Sequence, residues 1–344
     1  MNRTPATIRD VAARAGVSTA TVSRVLAGVS PGRPGTRARI LEAAAALDYR
    51  PSGVARSLKL RVTRTLGLII TDITNPFFPE LVRSVEDAAQ ASGHALLLGN
   101  SVADPARELA YLELLAARRV DGLIIAAADV PERHGDWLAR TSLPIVLVNG
   151  DSPDGRHPAA MSDNRGGGRL GAQHLLALGH RRLGLITVDE PDRAARDRAD
   201  GIRDALRDAA LDPGGLTIAA GGRHVSGGEA AMAALLAREP APTAVLCHND
   251  VMAIGALRAV RASGRRVPED VSIVGFDDID LAAYAEPPLT TVAQDTALLG
   301  RWGVETLVAR IAAGPAASPA RPPATVRMPT RLVVRRSTGA PPGA

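Results

Sequence analysis

From residue 65 onward the chain alternates, twice over, between short apolar runs rich in β-branched residues and longer segments of helical periodicity. The first set of runs reads TLGLIIT, ALLLG, VDGLIIAA and PIVLV, and the second reads LGLITV, LTIAA, TAVLC and VSIVGF. Segments such as GGGRLGAQHLLALG and VMAIGALRAVRASG separate them. Runs this uniformly apolar have no wet face, and intervening helices let neighbouring strands point the same way. Each set therefore predicts a parallel sheet covered on both faces. The expectation is a body of two α/β lobes with a cleft at the carboxyl ends of their strands, where a ligand would close one lobe on the other. Residues 65–163 with 292–325 are assigned to the first lobe, and 164–291 with 326–340 to the second.

A chain of 344 residues exceeds what one core supports, so two or three compact units are expected. Aromatic residues make up only 2% against 46% hydrophobic, so the core must be built from Ala, Val, Leu and Ile. The single cysteine, Cys247, excludes an internal disulfide framework and suits a reducing compartment. The first residues, MNRTPATIRD, carry no apolar signal segment, and no run of eighteen apolar residues occurs. A cytoplasmic protein with no membrane partner is expected.

The net charge of +5 conceals an asymmetry. Residues 1–64 hold twelve Arg and Lys against three Asp and Glu, giving +9, so the remainder carries −4. A short segment this basic is an electrostatic footprint for a polyanion, although charge alone also fits a solvated surface. Within it, TIRDVAARAGVSTATVSRVL (residues 7–26) places Ile8, Val11, Ala12 and Ala15 on one helical face. Thr7 and Asp10 are spaced as a capping box, Gly16 permits the positive φ of a sharp turn, and Ser18 is placed to cap a second helix. In that helix Val22, Val25 and Leu26 face inward, leaving Thr19, Ala20, Ser23 and Arg24 outward. A second helix presented this way enters a DNA major groove, with Arg able to read guanine. A third helix, TRARILEAAAALDY, shows an apolar stripe of Ile40, Leu41, Ala44 and Leu47, with a poorly signalled start at Arg33 and Pro34. RPSGVARSLKL follows, too short to be a stable helix unless packed or bound.

TIRDVAARAGVSTATVSRVL followed by YRPSGVARSLK closely resembles the head and hinge of the lac-repressor (LacI/GalR) family of bacterial transcriptional regulators. The resemblance continues through DITNPFF, RRVDGLII, LGHRRLGLI, HNDVMAIGAL, VSIVGFDD and PPLTTV. It implies an all-α helix-turn-helix head over residues 1–48, a hinge helix and linker over 49–64, and an α/β bilobed body like a type I periplasmic binding protein. It also implies a repressor that binds a palindromic DNA operator as a homodimer, without enzymatic activity or cofactor. By the same resemblance Thr7, Ser18 and Thr21 join Thr19, Ala20, Ser23 and Arg24 at DNA, and Ala55, Leu58 and Lys59 come from the hinge. Leu58 matches the leucine that wedges into a base step in the minor groove, a physically reasonable way to kink a duplex. The C-terminal RRSTGAPPGA has no leucine heptad, so a coiled-coil tetramer is not expected.

For the body, the resemblance implies allosteric control by a small-molecule effector, with carbohydrates the commonest class and nucleobases also used. Its motifs map the effector contacts onto Arg198, Asn249 and Asp277, with Asn149 a further candidate. Phe77 and Phe78, at the end of the first strand, would supply an apolar wall. Three of them have a plainer alternative: Asn249 as a helix cap, Asp277 with Asp278 as a turn pair, and Arg198 in a solvated ion-pair ladder. The family's aromatic wall near GGRHVSGGEAA is missing, and His224 is the available substitute.

The enzyme readings lack parts. Gly166, Gly168 and Gly171 satisfy G-x-G-x-x-G with Asp189 beyond them, but only a short strand precedes, and a closely packed helix start explains the glycines more simply. Lys59 is the only lysine, which rules out a P-loop or Schiff-base lysine in the body. Nothing supports a hydrolase built on Asp277, Asp278 and His248.

Overall fold

A computed structural model describes residues 6–26, 33–49, 62–127, 130–152, 155–190, 192–314 and 325–343. Two units separate at Thr63 and Arg64, and each is described by itself.

Among the described residues the head contains three helices: α1 (Ile8–Ala15), α2 (Thr19–Leu26) and α3 (Pro34–Ala46). The Asp10 carboxylate accepts from both the Thr7 N–H and the Thr7 hydroxyl at 2.8 Å, and Gly16 turns the chain at φ 64°. Val11, Ala12, Ala15, Val22, Ile40, Ala43 and Ala44 form one small core, with Ile8, Val25, Leu26 and Leu47 packed against it. Leu41 departs from the expected stripe and is 47% exposed. With Ile40 at the centre of the buried face, a period of 3.6 brings Ala43, Ala44 and Leu47 inward and turns Leu41 about 100° away. Pro34 occupies the first helical position, where its missing N–H costs nothing, so α3 starts cleanly without a polar cap.

Among the described residues the body holds two six-stranded sheets. The first contains β1 (Thr65–Ile70), β2 (Ala95–Asn100), β3 (Gly122–Ala126), β4 (Ile145–Val148), β5 (Ala159–Ser162) and β11 (Val326–Met328), in the order β11-β5-β4-β3-β1-β2. The second contains β6 (Leu183–Val188), β7 (Thr217–Gly221), β8 (Ala244–Cys247), β9 (Ser272–Asp277), β10 (Thr290–Ala293) and β12 (Arg331–Val333), in the order β12-β10-β9-β8-β6-β7. Every pairing is parallel except β10 with β12. In β1, Leu66, Leu68 and Ile70 join one buried cluster and Ile69 another, which is what covering both faces requires.

Helices α4 (Phe77–Ala91), α5 (Pro105–Ala117), α6 (Val130–Arg140) and α12 (Thr296–Ala313) accompany the first sheet. Helices α7 (Asn164–Ala177), α8 (Arg193–Asp208), α9 (Val225–Leu236), α10 (Asp250–Ala262) and the short α11 (Asp280–Tyr284) belong with the second. The chain changes lobe after Ser162, after Ala293 and after Met328. The lobe boundaries expected from sequence therefore shift: Val292 and Ala293 lie in the second sheet, and residues 326–328 lie in the first. Three-residue edge strands leave too short a pattern to show their side.

The glycine-rich start of α7 is a packing device. A Cβ on Gly168 would lie 2.2 Å from the Arg198 carbonyl oxygen, and one on Gly201 would lie 1.9 Å from that of Arg165. Only paired glycines let α7 and α8 approach this closely, and that contact sets the position of Arg198.

Candidate functional site

On the head, Thr7, Ser18, Thr19, Ala20 and Arg24 are exposed, while Thr21 and Ser23 are half-buried. The Ser18 hydroxyl accepts from the Thr21 N–H at 3.2 Å and shares a 2.9 Å bond with the Thr21 hydroxyl. Arg24 Nε donates to the Ala20 carbonyl at 3.3 Å, one turn back along its own helix. The outward face of α2 thus offers hydroxyls and one guanidinium on a rigid three-helix frame. Ala55, Leu58 and Lys59 lie outside the described residues.

In the body, a cavity of ≈ 600 Å³ opens where strand ends of both sheets converge, and Phe77, Phe78, Asn149, Arg198, Asn249 and Asp277 all line it. Phe77 and Phe78 open α4 and meet edge to face at 5.2 Å and 84°. The Asn75 carboxamide oxygen accepts from the Phe77 N–H at 3.2 Å, which fixes that entry. Asn149 follows β4 with φ 56°, a left-handed conformation that asparagine tolerates better than most residues. Asn249 is indeed a helix cap, its Oδ1 accepting from the Met252 N–H at 2.8 Å, but its place on the cavity wall leaves the amide nitrogen for other partners.

Arg198 is not part of a solvated ladder. It is buried, with Nε donating to Asn164 Oδ1 at 2.8 Å, Nη1 to the His248 carbonyl, and Nη2 lying 3.9 Å from Asp277 Oδ1. Its guanidinium carbon stands 3.6 Å over the Phe276 ring centroid. Burial lowers the guanidinium's pKa, and Asp277 opposes that shift. Asp277 closes β9 with φ 118°, a strained conformation for a non-glycine residue of the kind that collects at functional sites. Burial pushes its carboxyl up to about 6, against the pull of Arg198 and of Gln294, whose Nε2 donates to Oδ1 at 2.6 Å. Behind it the wholly buried Asp250 accepts from the Thr291 hydroxyl at 2.6 Å and the Ile279 N–H at 3.0 Å. Burial and then the charge of Asp277 raise Asp250 far above the ordinary carboxylate range.

The sequence reading missed several lining groups. Arg223 reaches the cavity and pairs with Asp192 at 3.0 Å, whereas its neighbour His224 is exposed and lies off the wall. Burial works to raise Asp192, but Arg223, the Ala195 N–H and Arg198 bring it below the ordinary range. Burial, then Arg198, pushes His248 down to about 3, so its ring is neutral. Gln294 enters from the crossing after β10. Asp278 turns away to Arg335 at 2.7 Å, so Asp277, Asp278 and His248 do not form a hydrolytic set. Two ion pairs join the lobes beside the cavity: Arg193 with Asp151 at 3.4 Å, and Arg327 with Asp197 at 3.7 Å. No metal-ligand cluster occurs among the described residues.

Residues 7–52 match the bacterial regulatory proteins of the lacI family, and residues 172–338 match the periplasmic binding protein-like domain. The HTH-type transcriptional repressor PurR of Aliivibrio salmonicida is 39% identical over 308 residues, covering 89% of this chain and 92% of that protein. Among solved structures, the lac repressor dimer bound to operator and the anti-inducer ONPF aligns over 98% of this chain and all of that one. Its TM-score is 0.86 at 30% identity. A LacI family transcriptional regulator from Enterococcus faecium with bound ribose aligns over 80% of this chain and 98% of that one, with TM-score 0.71 at 33% identity.

Proposed function

The chain belongs to the LacI family of bacterial regulatory proteins, and from that premise we propose how its two units work together. It is a DNA-binding transcriptional regulator and not an enzyme. The head binds a palindromic operator as part of a homodimer and represses transcription, and a small molecule in the interlobe cavity sets its operator affinity. The observation that carries this reading is the convergence of six candidate residues from both sheets on one cavity. A ligand touching both lobes stabilises the lobe arrangement it fits and so shifts a population. Coupling of this kind is typically worth about 1–3 kcal/mol.

Thr7, Ser18, Thr19, Ala20, Thr21, Ser23 and Arg24, with Ala55, Leu58 and Lys59 of the hinge, are the proposed DNA contacts. Phe77, Phe78, Asn149, Arg198, Asn249 and Asp277 are the proposed effector contacts. The effector is proposed to be a carbohydrate, since carboxylates, amides and guanidinium forks suit a ring of hydroxyls and a similar regulator holds ribose. A nucleobase is the second reading, favoured by the Phe77–Phe78 wall, on which a planar ring would stack.

Support for the homodimer comes from two sheet edges and a short helix. Leu97 and Leu98 on β2 are 41% and 44% exposed, Ile218 on β7 is 39%, and Tyr284 on α11 is 85%. Such unpaired apolar edges invite a partner, and a second copy supplies the two-fold symmetry of a palindrome. No helix among the described residues is long and apolar enough to cross a membrane, and the proposed place of action is the cytoplasm, beside the operator.

The test is selection of DNA from a random pool by the purified protein at physiological salt. A short enriched palindrome supports the reading, and a folded dimer that enriches no motif argues against it.

A further inference from the structure

The first crossing between the lobes runs from Ser162, the last residue of β5 in the first sheet, through Asp163 to Asn164, which opens α7 in the second lobe. Asn164 is fully buried, and its carboxamide bridges that crossing. Nδ2 donates to the Ser162 carbonyl at 3.2 Å, and Oδ1 accepts from Arg198 Nε at 2.8 Å. This orientation is fixed from both sides, because a guanidinium has only donors and a carbonyl only accepts. One side chain therefore holds a strand end of the first lobe with one atom and a cavity residue of the second with another.

The rest of the first turn of α7 completes the seat of that guanidinium. A Cβ on Gly167 would lie 2.8 Å from two ring carbons of Phe276, so the bare backbone there admits the ring on which Arg198 rests. Held at Nε, at Nη1 by the His248 carbonyl and across one face by Phe276, the guanidinium turns its Nη2 edge towards Asp277. Of these three holds only Asn164 reaches back to the first lobe, since His248 follows β8 and Phe276 lies in β9, both strands of the second sheet. A buried amide with both ends paired is costly to disturb, so a change of lobe angle that moves Ser162 against α7 is felt at Nε.

We propose that Asn164 is a positioning residue that transmits the angle between the lobes to Arg198 and, through Arg198, to the effector. It is not among the residues that line the cavity. The amide oxygen sets how well Arg198 meets a ligand, and the amide nitrogen sets how far that meeting depends on the lobe arrangement. Ligand affinity and lobe angle are then linked through one side chain, a link that a ligand acting on a distant head requires. This rests on the effector reading above.

The experiment takes as its probe the member of a panel of D-ribose, D-glucose, D-galactose, adenine and guanine that most raises the melting temperature of the full-length parent and leaves that of Arg198→Met unmoved. The probe's Kd, and the factor by which saturating probe changes the Kd for the selected operator, are measured in the parent, Asn164→Leu and Asn164→Asp. Leucine removes both amide bonds, whereas aspartate keeps an acceptor for Nε and loses the donor to Ser162. Asn164→Leu is expected to weaken the probe by about tenfold. Asn164→Asp is expected to keep the probe's affinity to within about threefold while its operator factor falls close to one. Aspartate is isosteric with asparagine and carries the test by itself if the leucine variant does not fold. Variants that melt earlier but keep both parental values make Asn164 a structural residue only and overturn the proposal. A parental operator factor in Asn164→Asp overturns transmission through Ser162, and a loss of probe affinity there of about tenfold or more overturns the role given to Oδ1. In each of these cases the probe still binds the parent through Arg198 and the effector reading stands, whereas a panel without such a member overturns that reading and the inference together.

Discussion

The guanidinium of Arg198 lies 3.6 Å over the ring of Phe276, the residue immediately before the cavity carboxylate Asp277. A strand-end aromatic thus supports the cation that the carboxylate faces at 3.9 Å. Neither charged group is free to reorient when the cavity fills, which is what a ligand clamp requires.

Arg198→Met keeps the apolar stem and removes the charge that faces Asp277. Breaking a buried pair on one side typically costs about 3–5 kcal/mol. Protonation of Asp277 absorbs part of this, so a loss near the lower end is expected in urea unfolding. An unchanged midpoint would mean that the pair contributes nothing to the fold.

Asp277 gives a pH dependence of definite sign. Its folded pKa of about 6 exceeds the ordinary 3.8, so the folded protein binds more protons than the unfolded chain between those values. Its contribution to stability is therefore present at low pH and lost as pH rises through that window. In Asp277→Asn this titration disappears. The melting temperature of the variant minus that of the parent should rise from pH 4.5 to pH 7, and a constant difference contradicts the assignment. His248 titrates in both proteins and cancels.

Much of this site was legible because motifs shared with the LacI family fall at strand ends. N-D after TAVLC, D-D after VSIVGF and P-F-F after TLGLIIT each follow an apolar run, so topology brings them to one cleft. Gln294 and Arg223 carry no such marker. Gln294 lies on a lobe crossing and Arg223 on a loop after a half-exposed strand, and only the three-dimensional path places them on the wall. Leu41 was misplaced because a stripe of four apolar residues in an alanine-rich helix has more than one centre, and the packing of Ile40 decides between them.

Leu98→Arg combined with Tyr284→Ala should convert the dimer to monomer in sedimentation velocity, because both side chains sit on exposed apolar edges of the body. Operator affinity then falls by at least about tenfold, 1.4 kcal/mol, with the loss of the second head. Persistence of the dimer would place the interface elsewhere.

Arg24→Ala removes the one guanidinium on the exposed face of α2 and only a weak bond to its own helix. A base contact is worth about 1–3 kcal/mol and relaxes preference at one position of the site. Repeating the selection from random DNA reads this directly, and a uniform loss across all sequences would make Arg24 a phosphate contact.

In the proposed function the cavity and the head are energetically coupled. The most direct measurement is fluorescence anisotropy of the selected operator, titrated with the full-length protein at fixed salt, with and without saturating amounts of a ligand shown to occupy the cavity. The expected change in operator Kd is roughly 5- to 150-fold, absent in Arg198→Met, whose ligand-free Kd stays near that of the parent. An operator Kd unmoved by a ligand shown to occupy the cavity would contradict it.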